Sequence, residues 1–197
     1  MQAKDKFLEK INLLVLILSL CLSHSLYAEE IYKKIFNYND GLKNSSANFI
    51  QTNTNYIQEG VIFFGNKRIK IMYIKPEKIT IILSEKKGVY INHELKESQF
   101  FATKNSYIKF FFDVFHNKKY LENLIFTESD HEIEISEKIE LEDVLYNIKL
   151  IYENNPINLR RLEIDDNNEK TKMGFSNHRT VEVFEKKFFS MVDPYLN

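Results

Sequence analysis

Cysteine occurs once in these 197 residues, at Cys21, and tryptophan is absent. Because Cys21 lies inside an N-terminal apolar run, the body of the chain has no thiol. That excludes a disulfide framework, a cysteine nucleophile and a cysteine-ligated zinc site. Glycine (5) and proline (3) are scarce, so turns must be made largely with Asn, Asp and Ser. Neither sign of charge dominates: 27 basic and 28 acidic residues leave a formal net charge of -1. Without a basic face, a nucleic-acid partner is not expected. The glycines at 41, 60, 65, 88 and 174 lack the spacing of a phosphate-cradling loop, and no G-x-S-x-G occurs. His93, His116, His131 and His178 are isolated from one another. The acidic pairs Glu29-Glu30 and Asp165-Asp166 read as solvated helix-end and turn residues. The expectation is a protein that is not an enzyme, with no catalytic residue, metal site or cofactor.

What is present is apolar content, 44% of residues against 28% charged, enough for one sizeable core. Lys4, Lys6 and Lys10 precede an apolar run from Ile11 to Leu22, long enough for a signal-peptide core and short for a membrane span. Residues 1–28 are therefore expected to be a signal peptide cleaved after Ala28, with an uncleaved anchor as the alternative. Residues 29–197 are expected to form a single domain. Leu20 before Cys21 is too bulky for a good lipoprotein cleavage box.

In the mature part, Ile31, Tyr32, Ile35 and Phe36 have helical spacing, and the cluster Asn37-Tyr38-Asn39-Asp40-Gly41 predicts the end of that helix. The period then changes to two. Residues 47–51, 61–64, 68–74, 78–83 and 89–92 read as strands of an antiparallel meander, with Gly60, Gly65-Asn66, Lys75-Pro76 and Lys87-Gly88 at hairpin or bulge positions. Ile69, Ile71 and Tyr73 share one face, and Arg68, Lys70 and Met72 the other. Further strands are expected at 133–135, 138–141, 144–152, 159–164, 170–175 and 180–184. About ten or eleven strands with so few helices point to a sandwich or a curled, nearly closed barrel.

The segment Tyr107 to Phe115 interrupts this pattern. Ile108, Phe111, Phe112 and Phe115 recur at i, i+3, i+4 and i+7, one apolar stripe of a short helix, with Lys109 and Asp113 opposite. Thr103, Asn105 and Ser106 supply oxygens that can cap its first turn. A second helical turn is expected at 118–123. The stripe is either ordinary core or the inner face of a lid.

Several stretches together resemble the periplasmic outer-membrane lipoprotein carrier family, LolA-like. Leu42 to Gln51 resembles the family's opening turn and strand. Gln58-Glu59-Gly60 with Phe63-Phe64 is similar to its next strand, and Arg68 to Pro76 to its basic and aromatic strand. Leu159 to Asp166, with Thr171 and Phe175, resembles its penultimate hairpin, and Phe188-Phe189 to Pro194 its closing strand. The resemblance implies an unclosed antiparallel β-barrel covered by a short helical lid. It also implies a carrier that holds the acyl chains of lipoproteins and shuttles them from the inner to the outer membrane. Its implied partners are acylated lipoproteins, an inner-membrane lipoprotein-releasing transporter and an outer-membrane acceptor, with the carrier itself a periplasmic monomer. Phe49, Phe64, Ile69, Ile71, Tyr73 and Ile81 then stand as cavity candidates, with Ile108, Phe111, Phe112 and Phe115 on the lid. Where the family has Arg-Pro at the start of its third strand, the arginine latching the lid, this chain has Gly65-Asn66. Arg68 is the candidate substitute, either a latch or an exposed residue at the rim. The rival readings are a binding or sensing domain for another lipid or glycolipid on the same architecture, and an envelope assembly protein whose apolar helix is a docking surface. N-terminal sequencing of the exported protein is expected to read Glu-Glu-Ile-Tyr; a full-length, membrane-retained chain would overturn the soluble carrier.

Overall fold

The computed structural model describes residues 30–104, 106–181 and 183–196, so the expected leader and its cleavage after Ala28 lie outside the described residues. Alternation of inward apolar and outward polar side chains organises nearly everything else. Helix α1 (30–41) leads into strands β1 (Ser45–Thr52), β2 (Ile57–Gly65), β3 (Arg68–Lys75), β4 (Ile79–Leu83), β5 (Lys87–Asn92) and β6 (Glu97–Ala102). Helices α2 (Tyr107–His116) and α3 (Lys118–Glu122) follow. The chain returns to strand in β7 (Ile125–Glu128), β8 (Glu132–Leu141), β9 (Val144–Glu153), β10 (Asn158–Asp165) and β11 (Lys170–Thr180). All eleven strands form one antiparallel sheet in the order β6-β5-β4-β3-β2-β1-β11-β10-β9-β8-β7, an unclosed barrel with β6 and β7 as free edges. The sheet is two meanders joined at the β1–β11 pair. The segment carrying α2 and α3 is the connection from one free edge to the other, so it has to cross the open side of the sheet.

Register lines up a largely apolar row on each face of the first meander. On the concave side Ile71 pairs with Ile62 and Ile81, and Leu162 with Leu150 and Met173. On the convex side Phe63, Lys70, Ile82, Val89 and Phe100 follow one another across five strands. Of the two glycines expected at hairpin or bulge positions at 60 and 88, Gly60 does adjoin a register shift within β2, whereas Gly88 sits inside β5. Each lies beneath an aromatic ring. A methyl group on Gly60 would stand 2.5 Å from Cζ of Phe49 and would collide with the Met72 carbonyl oxygen, and one on Gly88 would enter the Phe101 ring. With glycine used for close approach, the left-handed turn positions fall to other residues, among them Asn44, Asp143 and Asn167, and Asn177 takes the same conformation at the irregularity in β11. Asn53, Asn92 and Asp166 each accept two backbone N–H bonds in their turns.

Four other expectations need correction. Helix α1 runs through the turn-forming cluster to residue 41, because Tyr38 and Asn39 are held by tertiary hydrogen bonds. Residues 133–135 and 138–141 are one continuous strand, β8, paired with β9 along its whole length. The strands β6 and β7 were not anticipated. Residues 181 and 183–196 contain no strand, so neither 180–184 nor Phe188 to Pro194 closes the sheet. This tail folds back over the convex face. Phe63 meets Phe188 edge-on at 4.9 Å, Phe184 stacks on Phe188 at 4.8 Å, and Phe189, Met191 and Tyr195 pack on Ile82, Val89 and Ile91. Lys70 fastens it, with Nζ 4.1 Å from the Phe188 ring centroid and donating to the Phe188 carbonyl at 3.2 Å.

Gly60→Ala is expected to lower unfolding free energy by about 1–3 kcal/mol through overpacking. A chemical-denaturation curve checks it, and an unchanged midpoint would mean the Phe49 ring can move aside.

Candidate functional site

Helix α2 is buried on more than the expected stripe. Phe110, Phe111, Phe112, Val114 and Phe115 are all buried, and so is Asp113, whose carboxylate receives Lys109 Nζ at 2.5 Å. The predicted polar face is thus a neutralised ion pair inside the fold. Phe110 faces Tyr120 of α3, Phe115 packs on Phe64 at 5.0 Å, and Phe112 lies against the His116 ring at 4.6 Å. The expected capping differs as well. Ser106 precedes the helix in extended conformation but makes no side-chain cap bond, its hydroxyl donating to the Thr103 carbonyl instead. Thr103 donates to the carbonyls of Ser84 and Glu85, and Asn105 is outside the described residues. At the other end Asn117 closes α2 with its backbone N–H to Asp113 and opens α3 by accepting from Tyr120 N–H.

The last carbonyls of a helix have no partner within it. Here the Val114 carbonyl is bonded from outside. Asn39 of α1 donates to it through Nδ2 at 3.0 Å and accepts from the Tyr152 hydroxyl of β9 at 3.2 Å, all three groups being buried. Neighbouring Tyr38 anchors α1 further, accepting from Leu159 N–H at 2.8 Å and donating to Asn158. Arg68 is placed differently: it shares the convex side with Lys70, and its guanidinium donates to the carbonyl of Lys67 at 3.4 Å. The bond that ties α2 to the rest of the fold comes from Asn39. Close by, His116 is held down to about 4 chiefly by burial, with Lys43 and Lys67 adding repulsion, so its ring is neutral near neutral pH.

Between α2 and the concave sheet lies a cavity of about 340 Å³. Ile71, Tyr73, Ile81 and Leu83 form its wall on the first meander, Ile148, Leu162, Ile164 and Met173 its wall on the second. Tyr107, Ile108 and Phe111 roof it. Of the ten residues expected around a cavity, Ile71, Tyr73, Ile81, Ile108 and Phe111 therefore line it. Phe49, Phe64, Ile69, Phe112 and Phe115 are instead core, packed beside it. The second meander's wall was not foreseen, although Leu162 and Ile164 alternate visibly within β10. One end is polar. The β1–β2 hairpin brings Tyr56 and the β10–β11 hairpin brings Asp166 and Glu169, and since β1 and β11 are paired, both turns open at the same end of the sheet. Gln51 accepts from the Tyr73 hydroxyl there at 2.9 Å, and Tyr107 leans on Tyr146 at 5.5 Å.

No family model and no curated protein sequence matches the chain. Among solved structures, an uncharacterized conserved protein from Thermus thermophilus is similar with a TM-score of 0.54 at 8% identity, over 85% of this chain and 96% of that one. That likeness is one of fold alone. A putative outer membrane lipoprotein-sorting protein domain from Vibrio parahaemolyticus matches at a TM-score of 0.44 and 10% identity, over 83% and 97% of the two chains. LprF from Mycobacterium bovis matches at 0.37 and 12%, over 77% and 92%. Among the described residues, no helix is long and apolar enough to cross a membrane.

Asn39→Ala leaves the Val114 carbonyl and the Tyr152 hydroxyl buried without this partner, which costs about 1–3 kcal/mol. Amide exchange is expected to quicken in α2 more than in β1 or β11; equal acceleration throughout would show that Asn39 supports the fold generally and does not hold the helix in particular.

Proposed function

We propose that this chain is a carrier of acyl chains, exported to the periplasm, that shields the lipid part of lipoproteins between an inner-membrane donor and an outer-membrane acceptor. The observation that carries the reading is the apolar cavity between α2 and the sheet, with its length spanned by a helix that belongs to the connection between two free edges. The motif resemblance, from Leu42 to Gln51 and from Arg68 to Pro76 above all, supports the same class. No catalytic role is assigned to any residue, and the protein acts as a monomer without cofactor.

The energetics suit such a task. Burial of acyl chain is worth ~0.8 kcal/mol per CH₂, so a sixteen-carbon chain left in water is unfavourable by roughly 12 kcal/mol. A cavity near the lower end of the size range of ligand pockets takes one chain as it stands. A larger load requires α2 to move outward. The apolar side chains of α2 then compete with the cargo for the same walls, so release is not opposed by the full burial energy of the chain.

The test is capture of an acylated lipoprotein against its non-acylated form. Native mass spectrometry is expected to show a one-to-one complex with the acylated protein only. Leu162→Phe, which places a ring in the cavity, is expected to weaken capture several-fold while unfolding remains cooperative. Equal capture of both forms, or full capture by Leu162→Phe, would sink the proposal, and recovery of free lipid alone would indicate a different cargo.

A further inference from the structure

The polar end of the cavity has a definite sign. Asp166 and Glu169 line it, and among the described residues no lysine or arginine does. Asp166 accepts from the backbone N–H groups of Asn168 and Glu169, which holds its carboxyl below the ordinary carboxylate range and keeps it ionised. Glu169 differs, because its Oε1 is shielded from solvent and has no hydrogen-bond partner. An unmatched carboxylate oxygen out of water is unfavourable, and it is relieved by any donor that arrives.

Beside Gln51, this end is largely aromatic. Tyr56, Tyr73, Tyr107 and Tyr146 all face the cavity, and burial raises the hydroxyls of Tyr73 and Tyr107, so these two present neutral rings. Tyr56 and Tyr107 are 41% and 37% exposed, which marks this as the end that reaches solvent. A ring face attracts a cation and repels an anion. Apolar walls deeper in, with tyrosine faces and two carboxylates at the mouth, form a receptor with a built-in orientation: chain inward, head at the hairpins.

We infer that the cavity selects acyl chains by their head group, favouring a cationic, amine-type head beside Asp166 and Glu169 and rejecting carboxylate and phosphate heads. The inference rests on the reading of the cavity as an acyl-chain site and adds what that reading leaves open, the chemistry at the chain's outer end. A fatty acid or an anionic phospholipid of the surrounding membranes would bring its negative charge against both carboxylates and find no counter-ion.

Three probes with the same chain and different heads test this near neutral pH and low ionic strength, below their micelle concentrations: dodecyltrimethylammonium, monolauroylglycerol and laurate. Calorimetry or displacement of a fluorescent chain is expected to rank them cation, neutral, anion, with the anion at least about tenfold weaker than the cation. In the double variant Asp166→Asn, Glu169→Gln that ratio is expected to fall toward one; both changes keep side-chain acceptors, so the Asp166 turn retains its bonds. Added salt is expected to narrow the wild-type ratio as well. Equal binding of all three probes by the wild-type protein, or an undiminished ratio in the double variant, would overturn the inference and leave the acyl-chain site standing. Binding of none of them would overturn both.

Discussion

A sheet that curls without closing leaves its concave face wet unless something else covers it, and in this protein the cover is α2. Complete burial of five side chains, Phe110, Phe111, Phe112, Val114 and Phe115, represents roughly 7 to 15 kcal/mol of gross transfer. That is as large as the whole net stability of an ordinary domain, about 5–15 kcal/mol. The helix therefore cannot leave its seat spontaneously in any appreciable fraction of molecules. On the reading proposed above, an acyl chain of similar transfer energy replaces it in part. The ion pair Lys109–Asp113 and the Asn39 bond to Val114 match part of the polar complement of so apolar a helix, while His116 Nε2 is buried without a hydrogen-bond partner on a ring that burial keeps neutral.

The convex face meets the same demand by different means. A row from Phe63 to Phe100 is apolar at most positions, and the C-terminal tail covers much of it with aromatic rings. The sheet is thus packed on both sides, by a helix within and an irregular strap without. His93 ties the strap down, its ring joining Thr80 at 2.9 Å to the Tyr195 hydroxyl at 2.8 Å. The strap stiffens the first meander's wall from behind, along β2 to β5.

Most of the sheet was legible from local pattern: β1 to β3 and β11 largely alternate, and β4 and β5, buried on both faces, are short runs rich in β-branched residues. The total of eleven strands, however, agrees with the expectation only through compensating differences. The edge strand β6 does not alternate and β7 is only four residues long, while β8 was divided at Glu137 although its pairing is continuous. The tail has strand-forming residues, but Phe184, Phe188 and Phe189 gather around Phe63 and make no ladder. For the cavity, helical spacing found Ile108 and Phe111, and could not separate them from Phe112, which differs only in facing His116. The second wall needed the β1–β11 pairing, a contact between the two ends of the domain that no local pattern announces. Asn39 was hidden for the opposite reason: it stood in a cluster that reads as a turn.

In a closed barrel, strand number and stagger together fix the bore. With β6 and β7 unjoined, neither condition applies. The two meanders can hinge about the β1–β11 seam, which already holds a bulge between Ser46 and Asn48, and the bore widens while every ladder within each meander stays intact. The bore of this architecture is thus an elastic quantity, set by how far the two halves splay about one line of hydrogen bonds.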